Sequence, residues 1–63
     1  MDLSNIKIGD KCLTRDSGIV KLVSVEHSLY YFKGRYHRYF AVNNSGRYEH
    51  FALHNNDIVK ILN

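Results

Sequence analysis

Proline is absent from this 63-residue chain, and cysteine occurs once, as Cys12. A single cysteine leaves no internal disulfide, which argues against the small secreted scaffolds that replace a core with several bridges. No apolar run approaches the roughly 20 residues that a membrane-spanning helix needs. The opening "MDLSNIKIGDK" has no basic stretch leading into an apolar one, so no signal peptide is expected. The expected setting is reduced and cytoplasmic, with no membrane partner. Acidic residues are missing from one window: no Asp or Glu occurs between Glu26 and Glu49.

That window carries Lys33, Arg35, Arg38 and Arg47, so it is net +4 while the rest of the chain is net −1. Charge of one sign gathered in one segment points to an anionic partner. The length allows one domain, residues 1–63. A domain this small buries only about 60% of its unfolded surface, so its core is thin and a deep catalytic cleft has no walls to form it.

The residues that are abundant favour strands. Val, Ile, Tyr and Phe are frequent, and no segment sustains the 3.6-residue apolar period of a helix. "KCLTR" (11–15) reads as a first strand. "RDSG" (15–18) reads as a turn, with Gly18 expected to supply the positive φ. "IVKLVSVEH" (19–27) reads as a second strand whose apolar phase changes. Val20 and Leu22 share one face and Val23 and Val25 the other, so a bulge is expected near its middle. Residues 30–32 read as the end of a strand region, with Lys33, Gly34 and Arg35 in a basic loop beyond. "YHRYFAVN" (36–43) reads as a third strand, "NNSG" (43–46) as a tight turn, "RYEHFAL" (47–53) as a fourth strand and "IVKIL" (58–62) as a fifth. The expected core is Ile8, Cys12, Val20, Leu22, Val25, Phe40, Val42, Phe51, Leu53, Ile58 and Ile61. Five short strands that must bury a thin core imply an all-β protein whose sheet bends strongly on itself.

The steps "IKIGDKC", "GIVKLVSVE", "YFAVNNSGRYEHFAL" and "NNDIVKIL" resemble the Tudor domain and the KOW-type modules of the same SH3-like barrel superfold. The resemblance spans about residues 6–62. It implies a single five-stranded SH3-like (Tudor-like) barrel. Tudor domains that read methylated Lys or Arg surround the cation with aromatic rings. The matching positions here hold Arg15, Gly18 or Ile19, Val42 and Ser45, none aromatic, so methyl reading is not expected.

The richest segment is "YYFKGRYHRYF" (30–40), with six aromatic residues among eleven and no acid. Aromatic rings interleaved with cations suit single-stranded nucleic acid, because bases stack and phosphates are neutralised. The candidate binding residues are Lys33, Arg35, Arg38 and Arg47 as a phosphate clamp, with Tyr30, Tyr36 and Tyr39 for stacking. Tyr, Phe and Arg are also enriched at protein interfaces. The alternative is therefore an adaptor or inhibitor of a larger protein complex, of a kind phages and mobile elements encode, using the same tyrosine-rich face.

Chemistry of other kinds has little to work with. His50 and His54 stand four apart, but on an expected strand and turn rather than a helix, so no metal is expected. Cys12 sits in a strand as a small core residue. The carboxylates Asp10, Asp16, Glu26, Glu49 and Asp57 are scattered, and Asp10 and Asp57 read as turn or cap residues. Neither a cofactor nor catalysis is expected.

Overall fold

The computed structural model describes residues 1–63. Its elements are β1 (Lys11–Thr14), β2 (Ile19–Glu26), β3 (Leu29–Lys33), one 3₁₀-type turn (Arg35–His37), β4 (Tyr39–Val42) and β5 (Ile58–Ile61). They form one antiparallel sheet in the order β4-β3-β2-β1-β5. The protein is all-β, as the sequence implies. The sheet is open: β4 and β5 are its two edges and share no ladder. No helix is long and apolar enough to cross a membrane.

Each connection follows from local chemistry. Between β1 and β2, the Ser17 N–H donates to the Thr14 carbonyl at 2.9 Å and the Thr14 N–H donates to the Gly18 carbonyl at 2.8 Å. The left-handed residue of this turn is Ser17 (φ 70°), not Gly18. Gly18 is needed for room instead, because a Cβ there would stand 3.0 Å from Thr14 Oγ1. Between β2 and β3, Glu26 faces Leu29 across a loop of only His27 and Ser28. Both have positive φ, 52° and 64°. That is the type I′ turn, whose twist matches the flanking strands. The β3–β4 tip repeats the device. The Arg38 N–H donates to the Arg35 carbonyl at 3.2 Å, and Tyr36 and His37 between them have φ 58° and 57°.

The third strand therefore differs from expectation. Residues 29–33 form a strand of their own, and residues 36–38 lie in the turn rather than in β4. The expected bulge in β2 is present: the register with β3 slips between Leu22 and Ser24, leaving Val23 as the extra residue. A bulge of this kind bends its strand and increases the local twist.

The core is Leu3, Cys12, Val20, Leu22, Phe32, Val42 and Ile58, with Ile6, Tyr30, Phe40 and Ile61 packed against it. Leu3 and Phe32 were not expected in it. Leu3 is fixed by its N–H, which donates to the Asn44 carbonyl at 2.8 Å. Ile8, Val25, Phe51 and Leu53 were expected inside and are exposed. Ile8 falls in the turn closed by the Asp10 N–H on the Lys7 carbonyl. Val25 lies beyond the bulge, near the hairpin tip. Phe51 and Leu53 fall in the segment corrected next.

Residues 47–53 form no strand. The turn at 43–46 is made as expected: the Gly46 N–H donates to Asn43, and Gly46 has φ 78°. Beyond it the chain leaves the sheet, and a carboxylate takes over the role of a ladder. Asp57 is completely buried. Its Oδ1 accepts the Tyr48 N–H at 2.9 Å, and its Oδ2 accepts the His54 N–H at 3.1 Å and Arg15 Nη2 at 3.0 Å. Arg47 Nε stands 3.5 Å from the same oxygen. Arg47 Nη2 donates to the Ala52 carbonyl at 3.1 Å, closing the loop on itself. Asp57 is thus more than the turn residue the sequence suggests.

Candidate functional site

Three segments distant in sequence border one open groove. The β1–β2 turn brings Thr14, Asp16, Gly18 and Ile19. The β3–β4 tip brings Gly34, Arg35, Tyr36 and Arg38, continued by Tyr39 and Phe40. The Asp57-pinned segment brings Tyr48 and Asn56. The groove has a volume of about 610 Å³.

Its floor is continuous with the core through a row of rings. Phe32 stacks on Phe40 with centroids 5.9 Å apart, Phe40 meets Tyr48 edge-on at 6.2 Å, and Tyr48 stacks on His54 at 4.2 Å. Rings fixed by such packing are rigid platforms, in contrast to Tyr36, which is 86% exposed at the tip.

Of the candidate residues, Arg35, Tyr36, Arg38 and Tyr39 come together in the groove. Lys33 faces Tyr39 across the β3–β4 ladder, with Nζ 6.0 Å from the ring centroid, at the outer limit of a cation–π contact. Tyr30 and Arg47 are placed elsewhere. Tyr30 packs on the core opposite Val42. The Arg47 guanidinium is committed to Asp57 and Ala52. Tyr48, Asp16 and Asn56 line the groove and were not singled out in the sequence. Nothing local marks them, since they reach the site through contacts between distant segments. One such contact is the Asp16 N–H donating to the Asn55 carbonyl at 3.4 Å.

The groove carries charge of both signs. The protein's only ion pairs both end on Asp57, so Arg35 and Arg38 are uncompensated cations. In the β1–β2 turn, the Thr14 hydroxyl donates to Asp16 Oδ1 and the Gly18 N–H reaches the same oxygen at 3.3 Å. These bonds, the Thr14 one foremost, hold the Asp16 carboxyl below its usual pKa against a smaller opposing effect of desolvation. The groove is therefore lined by two cations, one carboxylate and several aromatic rings.

Away from the groove, burial pushes the Cys12 thiol up to about 11, with the Asp10 charge adding to it. Such a thiol carries almost no thiolate at neutral pH. No three His, Cys, Asp or Glu side chains gather as a set of metal ligands. Comparison with protein-family models, curated proteins and solved structures finds no match.

Proposed function

We propose that this protein is a non-catalytic SH3-like barrel module that binds single-stranded nucleic acid, alone or within a ribonucleoprotein, in the groove between the β1–β2 turn and the β3–β4 tip. The observation that carries the reading is the meeting of two unpaired arginines, Arg35 and Arg38, with the rings of Tyr36, Tyr39 and Tyr48 in one groove. Stacking on such rings contributes about 1–3 kcal/mol per base, and each neutralised phosphate releases a counterion. The strand order, with β5 returning to the outer side of β1, supports the barrel reading.

The test is retention on single-stranded RNA or DNA across a salt titration. Affinity that falls steeply with salt supports the proposal. No retention at about 50 mM salt rejects it.

One observation favours the second reading, a protein-interaction adaptor or inhibitor. Phe51 is fully exposed and Leu53 is largely so, both outside the groove. Capture of partners from nuclease-treated lysate separates the two readings. A protein partner that survives nuclease treatment and the pair Arg35→Ala and Arg38→Ala, but is lost on Phe51→Ala, favours the adaptor.

A further inference from the structure

The turn at 43–46 is built as a hairpin turn, yet the second arm of its hairpin is missing. The Gly46 N–H donates to the Asn43 carbonyl at 2.9 Å, and the Asn43 N–H donates to the Arg47 carbonyl at 3.0 Å. With Gly46 at φ 78°, these are the bonds of a three-residue hairpin loop bulged at its glycine. An antiparallel ladder continues from such a turn by alternation. Tyr48 then stands opposite Val42 with its N–H turned away from β4, and Glu49 stands opposite Ala41 with both backbone groups turned toward it. Tyr48 already obeys this rule, because its N–H donates to Asp57 Oδ1. The ladder stops one residue short of its next rung.

Both sides of that rung are unpartnered. The Gly34 N–H donates to the Arg38 carbonyl, and the β3–β4 register runs from there through Lys33–Tyr39, Phe32–Phe40, Tyr31–Ala41 and Tyr30–Val42. By alternation Phe40 and Val42 bond to β3, while the backbone groups of Tyr39 and Ala41 point off the edge of the sheet. Neither residue makes a hydrogen bond there. None of the N–H groups from Glu49 to Leu53 donates a hydrogen bond either. Ala41, Val42, Tyr48 and His50 border a cleft of only about 80 Å³, so the two unpaired stretches are near neighbours. The other edge, β5, carries Lys60 and a register shift in its ladder, two features that discourage pairing. β4 is uncharged from Tyr39 to Val42 and its ladder has no shift.

We propose that Glu49 is the end of a strap that closes on the β4 edge: the Ala41 N–H donates to the Glu49 carbonyl and the Glu49 N–H to the Ala41 carbonyl. The strap is the favoured occupant of this edge because loop 44–46 already tethers it there, whereas a separate chain loses translational and rotational freedom on binding. The chain must return from the strap to Asp57, which holds the His54 N–H at 3.1 Å. Closure therefore adds the Ala41–Glu49 rung and does not restore a strand over 47–53. The hydrogen bonds gained and the entropy lost in ordering these residues are of similar size, so the open and closed forms lie close in free energy. Closing also carries His50 opposite Phe40, on the face where Tyr48 meets that ring. Phe40 and Tyr48 line the groove. A ligand lying on them gains a contact in the closed form and shifts the population toward it. Only the identity of that ligand rests on the nucleic-acid reading.

The experiment is residue-resolved amide hydrogen exchange by NMR, on the free protein and with saturating oligouridylate. In the free protein Ala41 and Glu49 are expected to exchange roughly two- to tenfold more slowly than in an unstructured peptide, and Ala52 and Leu53 at the unstructured rate. Glu49→Pro removes an N–H that bonds to nothing in the open form. It is expected to leave the melting temperature unchanged and return Ala41 to the unstructured rate, whereas Glu49→Ala leaves Ala41 protected. Should Glu49→Pro fail to fold, Ala41→Pro makes the same test from the other side, at an edge position whose N–H faces outward, and is read at Glu49. Bound oligouridylate is expected to slow both amides by roughly tenfold more. Ala41 protection that survives Glu49→Pro, or that grows with protein concentration, assigns the edge to a second copy and overturns the strap. Unstructured rates at both residues, with and without oligouridylate, overturn it too. Bound oligouridylate that leaves both rates unchanged overturns the coupling to the groove. Protection cancelled by Glu49→Pro in a protein that binds no oligonucleotide upholds the strap and rejects the nucleic-acid reading.

Discussion

Replacing Asp57 with Asn is the sharpest test of how this chain holds its irregular half. The buried carboxylate receives the N–H groups of Tyr48 and His54 and the guanidinium of Arg15, with Arg47 at 3.5 Å. Asn has nearly the same shape but one acceptor oxygen. Its amide nitrogen meets N–H donors whichever way it turns, and both arginines lose their counter-charge. Breaking a buried charge set from one side costs about 3–5 kcal/mol. At 0.05–0.15 kcal/mol per residue, a domain of this length has only about 3–9 kcal/mol in total. The melting temperature is expected to fall by at least about 12 °C, given roughly 4–8 °C per kcal/mol at this size. Urea unfolding followed by tyrosine emission and far-ultraviolet circular dichroism measures the loss.

Acid titration supplies a second arm of the same test. Burial alone would raise the Asp57 pKa, but the Tyr48 and His54 N–H groups and Arg15 together outweigh it and bring it below the ordinary value. A carboxyl depressed in the folded state stabilises above its unfolded pKa of about 3.9 and stops doing so as pH falls through the folded value. Asp2 and Asp16 are depressed too, but both are exposed. The wild-type protein is thus expected to lose stability below about pH 4, and Asp57→Asn to show a shallower acid limb. A loss below about 1 kcal/mol, together with an unchanged acid limb, would refute the assignment of Asp57 as the anchor.

The His27–Ser28 turn holds two residues ill-suited to positive φ, so His27→Asn with Ser28→Gly is expected to raise stability by about 1 kcal/mol, read as a higher urea midpoint. Gly46→Ala is expected to cost about 2 kcal/mol or more in the same assay, because φ is 78° and a Cβ would stand 2.8 Å from the Ile58 carbonyl oxygen. Unpaired Arg35 and Arg38 should each contribute one phosphate contact. Their joint replacement by Ala is expected to flatten the log–log salt slope of oligonucleotide binding by about 1.5 while leaving thermal unfolding unchanged. An unmoved slope counts against the clamp.

What was legible in the sequence depended on whether the deciding chemistry was local. The turn at 43–46 was readable because Asn and Gly tolerate its left-handed residue, and the Val23 bulge because the apolar phase changes across it. The hairpin at His27–Ser28 was not, since neither residue advertises positive φ. The second strand then reads as 19–27 with no turn after it, and β3 (Leu29–Lys33) does not stand out as a strand of its own. The segment 47–53 reads as a strand by composition, but its backbone partner is a carboxylate further along the chain. Leu3 is a lone apolar residue among polar neighbours, and its burial depends on the 43–46 turn. In the groove, Arg35, Tyr36, Arg38 and Tyr39 are close in sequence and could be named together. Asp16, Tyr48 and Asn56 join them only after the chain has folded.

Asp57 also imposes an order on assembly. It meets Arg15 across 42 positions of chain, whereas β1 through β4 are joined by short hairpins. Closing a long loop costs entropy before any contact repays it, so the hairpins are expected to form in the folding transition state and the carboxylate clasp after it. Contacts made after the barrier govern how fast a protein comes apart rather than how fast it forms. In a chevron plot, Asp57→Asn should steepen the loss through the unfolding limb and leave the refolding limb nearly in place. The same clasp fixes Tyr48 beneath the groove. The lifetime of the folded chain and the lifetime of its groove floor are therefore set by one side chain.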